Sequence, residues 1–198
     1  MASTSLIMKK SFIINNQDIT LTDIRGNYVD SLKAQFPTHE GRIHMMDLVD
    51  SDFDAKYKDF LGTYDTVFAL NVVEHIEDDQ LAIVNATKLL KSNGKLIILV
   101  PAFQMLYNTF DTALEHYRRY TKTSLNRLIS MELELDHSQY FNAFGMLGWF
   151  VSGKLLKKKT IPIKQMKIYD KLLFIAKTID KLSFNQIGLS VISVGVKK

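Results

Sequence analysis

The segment Tyr64-Asp-Thr-Val-Phe-Ala-Leu-Asn-Val-Val-Glu-His-Ile-Glu-Asp-Asp79 constrains this chain more than any other. Its apolar run, Val67 to Leu70, shows no alternation of polar and apolar residues, which predicts a strand covered on both faces, as in a parallel sheet between helices. The run ends abruptly in Asn71, Glu74 and His75. Open α/β sheets bind ligands at the carboxyl edge of their strands, so the segment implies both a fold class and a place for a site.

The rest of the chain continues the same rhythm. Ile19 to Ile24 reads as a strand ending at Asp23, and Asn27 to Phe36 as a helix with Tyr28, Leu32 and Phe36 at helical spacing, broken by Pro37. Arg42 to Met46 reads as a second strand ending at Asp47. Asp78 to Lys91 has the acidic first turn and apolar spacing of a helix, stopped by Gly94, and Lys95 to Val100 is a fourth strand. Strands alternating with helices predict βαβ units and a mostly parallel sheet, all in one domain over residues 1–198. After Pro101 the pattern changes: Phe103 to Tyr120 is aromatic and charged, Lys122 to Met131 reads as a helix, and Glu132 to Asn142 and Leu189 to Val196 read as strands.

Composition narrows the function classes. The chain has no cysteine, which excludes disulfides, thiolate catalysis and cysteine metal sites. Its net charge of +4 is modest, and the basic residues are not interleaved with aromatics as on a nucleic-acid surface, so no nucleic-acid partner is expected. No apolar segment reaches the roughly 20 residues of a membrane span, and nothing at the start resembles a secretory signal, so the expected location is the cytoplasm. The stretch Phe141 to Leu156, followed by Lys157 to Lys159, could meet a membrane surface peripherally or pack against the sheet. His39, His44, His116 and His137 show no ligand spacing, and no metal is expected.

Asp23 and Asp47 after successive strands, the Tyr64 to Ile76 segment with a helix behind it, and Asn93-Gly-Lys-Leu-Ile-Ile-Leu-Val-Pro101 together resemble the class I S-adenosylmethionine-dependent methyltransferases. The resemblance runs from about Ile19 to Pro101. His116-Tyr-Arg-Arg-Tyr120 and Gly145-Met-Leu-Gly-Trp149 resemble the type 11/12 branch of that superfamily. The resemblance implies a Rossmann-like fold, S-adenosylmethionine as cofactor, and methyl transfer to a small-molecule or saccharide- or lipid-linked acceptor. Acceptor-side or lid insertions are then expected over residues 103–187.

One departure from the pattern is large. Such enzymes begin with a strand, a Gly-x-Gly loop and a helix, whereas here the first glycine is Gly26. Phe12 to Ile14 stands only four residues, Asn15 to Asp18, ahead of Ile19, too few for a parallel crossover, so at best it forms a hairpin. The chain is therefore expected to be an N-terminally shortened relative, with residues 1–17 a leader or unrelated segment. A partner chain filling the gap and a non-catalytic binding or scaffold role are the alternatives, and open central edges favour self-association.

The resemblance also assigns roles, each beside a plainer reading. Asp23, with Ile24 beside it, would accept from the ribose hydroxyls, or else cap the following helix. Asp47 and Leu48 would take the adenine, or else sit in a solvated loop. Asn71 and Val72 would lie at the amino-acid end of the cofactor. Glu74 and His75 would face the acceptor, with His75 the candidate general base because its ordinary pKa lies near operating pH. By their own composition of planar donors and aromatic faces, Tyr117, Arg118, Arg119 and Tyr120 suit the grip of an anionic or sugar-bearing acceptor, or else belong to a lid whose arginines pair with Asp111 and Glu115.

Overall fold

The computed structural model describes residues 19–156, 178, 180–182 and 184–198. The expected leader, the hairpin at Phe12–Ile14 and the lysine-rich loop from Lys157 to Pro162 lie outside them. Internal contacts group the chain into two compact units, residues 1–50 and 51–198.

In the first unit, β1 (Leu21–Asp23) and β2 (Ile43–Met45) pair in parallel, with Asp23 opposite Met45. Parallel neighbours need a long crossover, and α1 (Gly26–Gln35) supplies it, packing on both strands. Val29, Ile43 and Met46 are the buried apolar side chains here. Asp47 follows β2 by two residues, so it leaves from the same edge as Asp23.

The second unit opens with a short helix, α2 (Phe53–Lys56), and is built on a four-stranded sheet. In chain order its strands are β3 (Tyr64–Leu70), β4 (Leu90–Pro101), β5 (Glu134–Phe141) and β6 (Ser190–Val196), arranged β3-β4-β6-β5. β3 and β4 are parallel, joined through α3 (Asp79–Lys88), whose N-cap Asp78 accepts from the Leu81 N–H at 2.9 Å. β6 runs antiparallel to both neighbours. The fold is thus α/β and Rossmann-like, with parallel pairing at β1-β2 and β3-β4.

Two expectations need correction. The strands near Ile19, Ile43, Val67 and Ile97 do not share one hydrogen-bonded sheet: among the described residues β1-β2 and β3-β4-β6-β5 are separate, because no described strand pairs with both β1 and β3. Nor is β3 covered on both faces. It is the outer strand of its sheet, and Phe68 remains 43% exposed while Ala69 is buried. β4 is bonded on both edges and sealed on one face, where Leu96, Ile98 and Val100 are all fully buried, while Ile97 and Leu99 on the other face are half-buried.

A helix, α5 (Lys122–Ile129), packs on β5 and β6 through Leu125 and Ile129, both fully buried. Close approach is possible because β6 offers Gly195: a Cβ there would stand 2.6 Å from Ile129 Cγ2 and 2.9 Å from Leu133 Cβ. The one buried hydroxyl on this interface is satisfied, since Ser193 Oγ donates to Asn126 Oδ1 at 2.8 Å and accepts from Ser138 Oγ at 3.0 Å. Gly195→Ala is expected to lower stability by about 1–3 kcal/mol through overpacking. In a urea-denaturation double-mutant cycle, Ile129→Ala should cost less in the Gly195→Ala background than alone, because the clash it relieves exists only there.

Candidate functional site

The site starts where β3 runs out. Asn71 donates its N–H to the Leu99 carbonyl at 2.8 Å and then turns left-handed, φ +54°, a conformation Asn tolerates better than most residues. The chain enters a single 3-10 turn, Val73–His75, which drives Val73 and Glu74 inward and leaves His75 half-buried. Val72 stays 39% exposed.

The opposing wall comes from α4 (Thr109–Ala113) and the residues after it. Asn108 caps α4 in a reciprocal box: its side chain accepts from the Phe110 N–H at 2.9 Å, and Asp111 accepts from the Asn108 N–H at 3.0 Å. Glu115, at φ +60°, ends the helix left-handed, and the His116 N–H returns to the Asp111 carbonyl at 3.0 Å. That reversal lays the imidazole against the Asp111 carboxylate, with Nδ1 to Oδ1 2.9 Å. Arg119 closes the same knot: its Nε donates to Asp111 at 2.7 Å, its Nη1 to the Ala102 carbonyl at 3.0 Å, and its guanidinium lies over the Trp149 ring. Burial pushes the Asp111 pKa up, but the hydrogen bonds from His116 and Arg119, the Arg119 charge and the Asn108 N–H outweigh it and hold the carboxyl below its ordinary range.

The segment from His116 to Tyr120 is fastened to both neighbours. Tyr117 donates its N–H to the Glu74 carbonyl at 2.8 Å, joining the two walls. Arg118 pairs with Asp79 at 2.7 Å and donates to the Glu77 carbonyl at 2.7 Å, while the Tyr120 hydroxyl donates to Asp79 at 2.8 Å. Burial and the Asp79 bond raise the Tyr120 pKa. The arginines therefore pair with Asp111 and Asp79 rather than with Asp111 and Glu115, because the N-terminal turn of α3 is within their reach. Of the residues assigned to the acceptor, Tyr117 is 53% exposed, whereas the Arg118 guanidinium is already engaged.

Glu74 is the unusual group. It is fully buried, and neither carboxylate oxygen has a hydrogen-bond partner among the described residues. Burial raises its pKa to about 8, with Asp111 adding to the rise and its own backbone and Arg119 opposing it, so the carboxyl is largely neutral at pH 7. Beside it the His75 and His116 rings meet edge to face, centroids 4.7 Å apart. His75, Glu115, His116 and Tyr117 line a cavity of about 390 Å³. In the sequence Asp111 stands only as an ion-pair partner for the lid arginines and Asp79 has no role at the site, although Asn108-Thr-Phe-Asp111 spells a capping box and could have flagged Asp111 as a buried organiser.

In the first unit, Asp23 is not a helix cap, since Arg25 occupies that position. Its carboxylate instead accepts from the Arg25 N–H at 2.9 Å and from the guanidinium at 3.0 and 3.1 Å. Burial raises the Asp23 pKa, and the Arg25 bonds and charge outweigh it to leave a net lowering. Ile24 is 56% exposed. Asp47 accepts from the Val49 N–H at 2.9 Å, with Leu48 half-buried in the same turn.

Comparisons with known proteins agree with this architecture. Residues 3–96 match the family model described as a methyltransferase domain. A TehB-like S-adenosylmethionine-dependent methyltransferase from Corynebacterium glutamicum is similar over 91% of this chain and 68% of its own, with 17% identity and a TM-score of 0.51. A putative methyltransferase from Bacillus halodurans is similar over 89% and 81%, with 12% identity and a TM-score of 0.55. Phosphoethanolamine N-methyltransferase 2 from Haemonchus contortus, solved with S-adenosyl-L-methionine, is similar over 91% and 43%, with 13% identity and a TM-score of 0.54. No curated protein matches the sequence. The matched segment is just under half of the chain, and the solved structures share with it a Rossmann-like methyltransferase fold.

The buried knot and the partly open pair should respond differently to mutation. Asp111→Asn leaves the Arg119 guanidinium enclosed without its counter-charge and is expected to cost about 3–5 kcal/mol. Arg118→Ala, whose side chain is 32% exposed, should cost no more than about 1 kcal/mol. Chemical denaturation of both variants gives the comparison.

Proposed function

We propose that the protein transfers a methyl group from S-adenosylmethionine to a small-molecule or saccharide- or lipid-linked acceptor. The observation that carries this reading is that the family match spans β1, β2 and β3, whose carboxyl ends lead into Asp23, Asp47 and Asn71. The residue types in the first unit suit an adenosyl group: carboxylates able to accept from hydroxyl and amino groups, each followed in the chain by an apolar residue, Ile24 or Leu48. Asp23 and Ile24 would hold the ribose, Asp47 and Leu48 the adenine, and Asn71 and Val72 the amino-acid end.

Bound S-adenosylmethionine supplies a methyl group already activated by its sulfonium. What remains for this chain is to align an acceptor, exclude water and take up a proton. In this reading His75 accepts the proton of an acceptor hydroxyl, Glu74 supports it, and Tyr117 packs against the acceptor beside the cavity, with Arg118 available once it leaves Asp79. The exposed Leu147, Val151 and Leu156 support a peripheral membrane contact by residues 141–159, which would favour a lipid-linked acceptor. Among the described residues no helix is long and apolar enough to cross a membrane.

A second reading, a non-catalytic binding or scaffold protein, is favoured by the Arg25 grip on Asp23. Calorimetry of the full chain with S-adenosylmethionine and its demethylated product separates the two. Micromolar binding, weakened at least about tenfold by Asp23→Ala and unchanged by Asp65→Ala, is expected for the transferase. Absence of heat at millimolar ligand would end the claim of autonomous catalysis.

A further inference from the structure

The geometry points to a divalent-cation site formed by Glu74, His75 and His116. Each of these residues offers one ligand atom, and the three atoms lie within 4.8 Å of one another. Two imidazoles on one tetrahedral zinc, with Zn–N about 2.0–2.1 Å, stand roughly 5 Å apart between centroids. The two rings here are 4.7 Å apart. Drawing the ligand atoms in to coordination distance requires adjustments of about 1 Å, which the half-buried His75 side chain can make.

Two further features are those a metal site has before the metal arrives. A fully buried carboxyl with neither oxygen bonded is costly, and a cation gives it the partner it lacks. His116 is already set as a ligand: Asp111 binds its Nδ1 at 2.9 Å, fixing the tautomer and turning Nε2 away from the carboxylate. This carboxylate–histidine pairing recurs behind metal-bound imidazoles, where it orients the ring and strengthens the ligand. Arg119 and the Asn108 N–H in turn hold Asp111, so the support extends one layer further.

Two nitrogens and one carboxylate oxygen suit zinc or a similar transition ion, not calcium or magnesium, which take oxygen ligands. Three protein ligands leave a position open, and the cavity lined by His75, Glu115, His116 and Tyr117 gives it access. An acceptor hydroxyl reaching that position would be acidified by coordination and give its proton to solvent water, so His75 serves as ligand in the loaded protein and as base only without the ion. The absence of ligand spacing in the sequence does not speak against this site, because it is assembled from two turns tied by the Tyr117 to Glu74 hydrogen bond.

The test uses the full chain freed of metal by a chelator and then titrated with Co2+, followed by its visible absorption, and with Zn2+ in competition with a chromophoric chelator. One ion per chain at micromolar or tighter affinity is expected, with a rise in thermal midpoint. Glu74→Gln and His75→Ala should each weaken binding at least about tenfold, and Asp111→Asn by about 10–100-fold, while His137→Ala changes nothing. Circular dichroism of each metal-free variant separates lost ligation from lost fold, and the near-isosteric Glu74→Gln keeps the test open if Asp111→Asn does not fold. No binding at about 100 μM Co2+, or affinity indifferent to both Glu74→Gln and His75→Ala, overturns the site. The methyl-donor reading fails separately, by absence of S-adenosylmethionine binding to the full chain both with and without added metal.

Discussion

The buried carboxylate of Asp111 holds the functional end of this protein together. It accepts from the Asn108 N–H, the His116 ring and the Arg119 guanidinium, and through them fixes a helix start, a left-handed helix end and the segment that follows. Without it, Arg119 would be an enclosed charge and His116 an imidazole with no set orientation. Because Tyr117 then donates to the Glu74 carbonyl, the rigidity passes to the turn after β3, where Glu74 and His75 sit. Electrostatics in a dry interior thus position the site, while the sheet supplies the foundation.

That foundation is the parallel β3-β4 pair, with β6 and β5 extending it. β4 is one of its two interior strands, its alternate residues Leu96, Ile98 and Val100 are fully buried, and its carboxyl end carries Ala102 and the bridge to Tyr120. The proposed methyl transfer would ask little of individual catalytic groups, since its donor arrives activated. A protein of this kind is expected to invest in orientation, and the described residues around Glu74 and His116 are heavily cross-linked by hydrogen bonds in keeping with that demand.

Much of the fold was legible in the sequence because periodicity and punctuation agree. Pro37 ends α1 close to where it should, Asp78 caps α3, and the last two strands fall where β-rich runs stand between polar turns. The pairing of β1 and β2 apart from β3 was not legible, since strand patterns carry no record of which edges meet. The same limit hid the exposure of Phe68: an unbroken apolar run looks alike whether its strand is central or at an edge. At the site, the position of Glu74 and His75 after β3 could be read, but the burial of Glu74 could not, because an acid following two valines reads as solvent-facing until the opposing wall is known. His116 looked like a solitary histidine for a related reason, its partners being a capping acid and a residue from a separate turn.

The central claim is the proposed one, that a methyl-donor nucleoside binds at the carboxyl ends of β1 and β2. Amide hydrogen exchange of the full chain, with and without S-adenosylhomocysteine, tests it most directly. The account predicts that amides near Asp23 and Asp47 slow together at saturating ligand while the α5 and β5 amides keep their rates. Unchanged exchange at both strand ends, or protection confined to other parts of the chain, would contradict it.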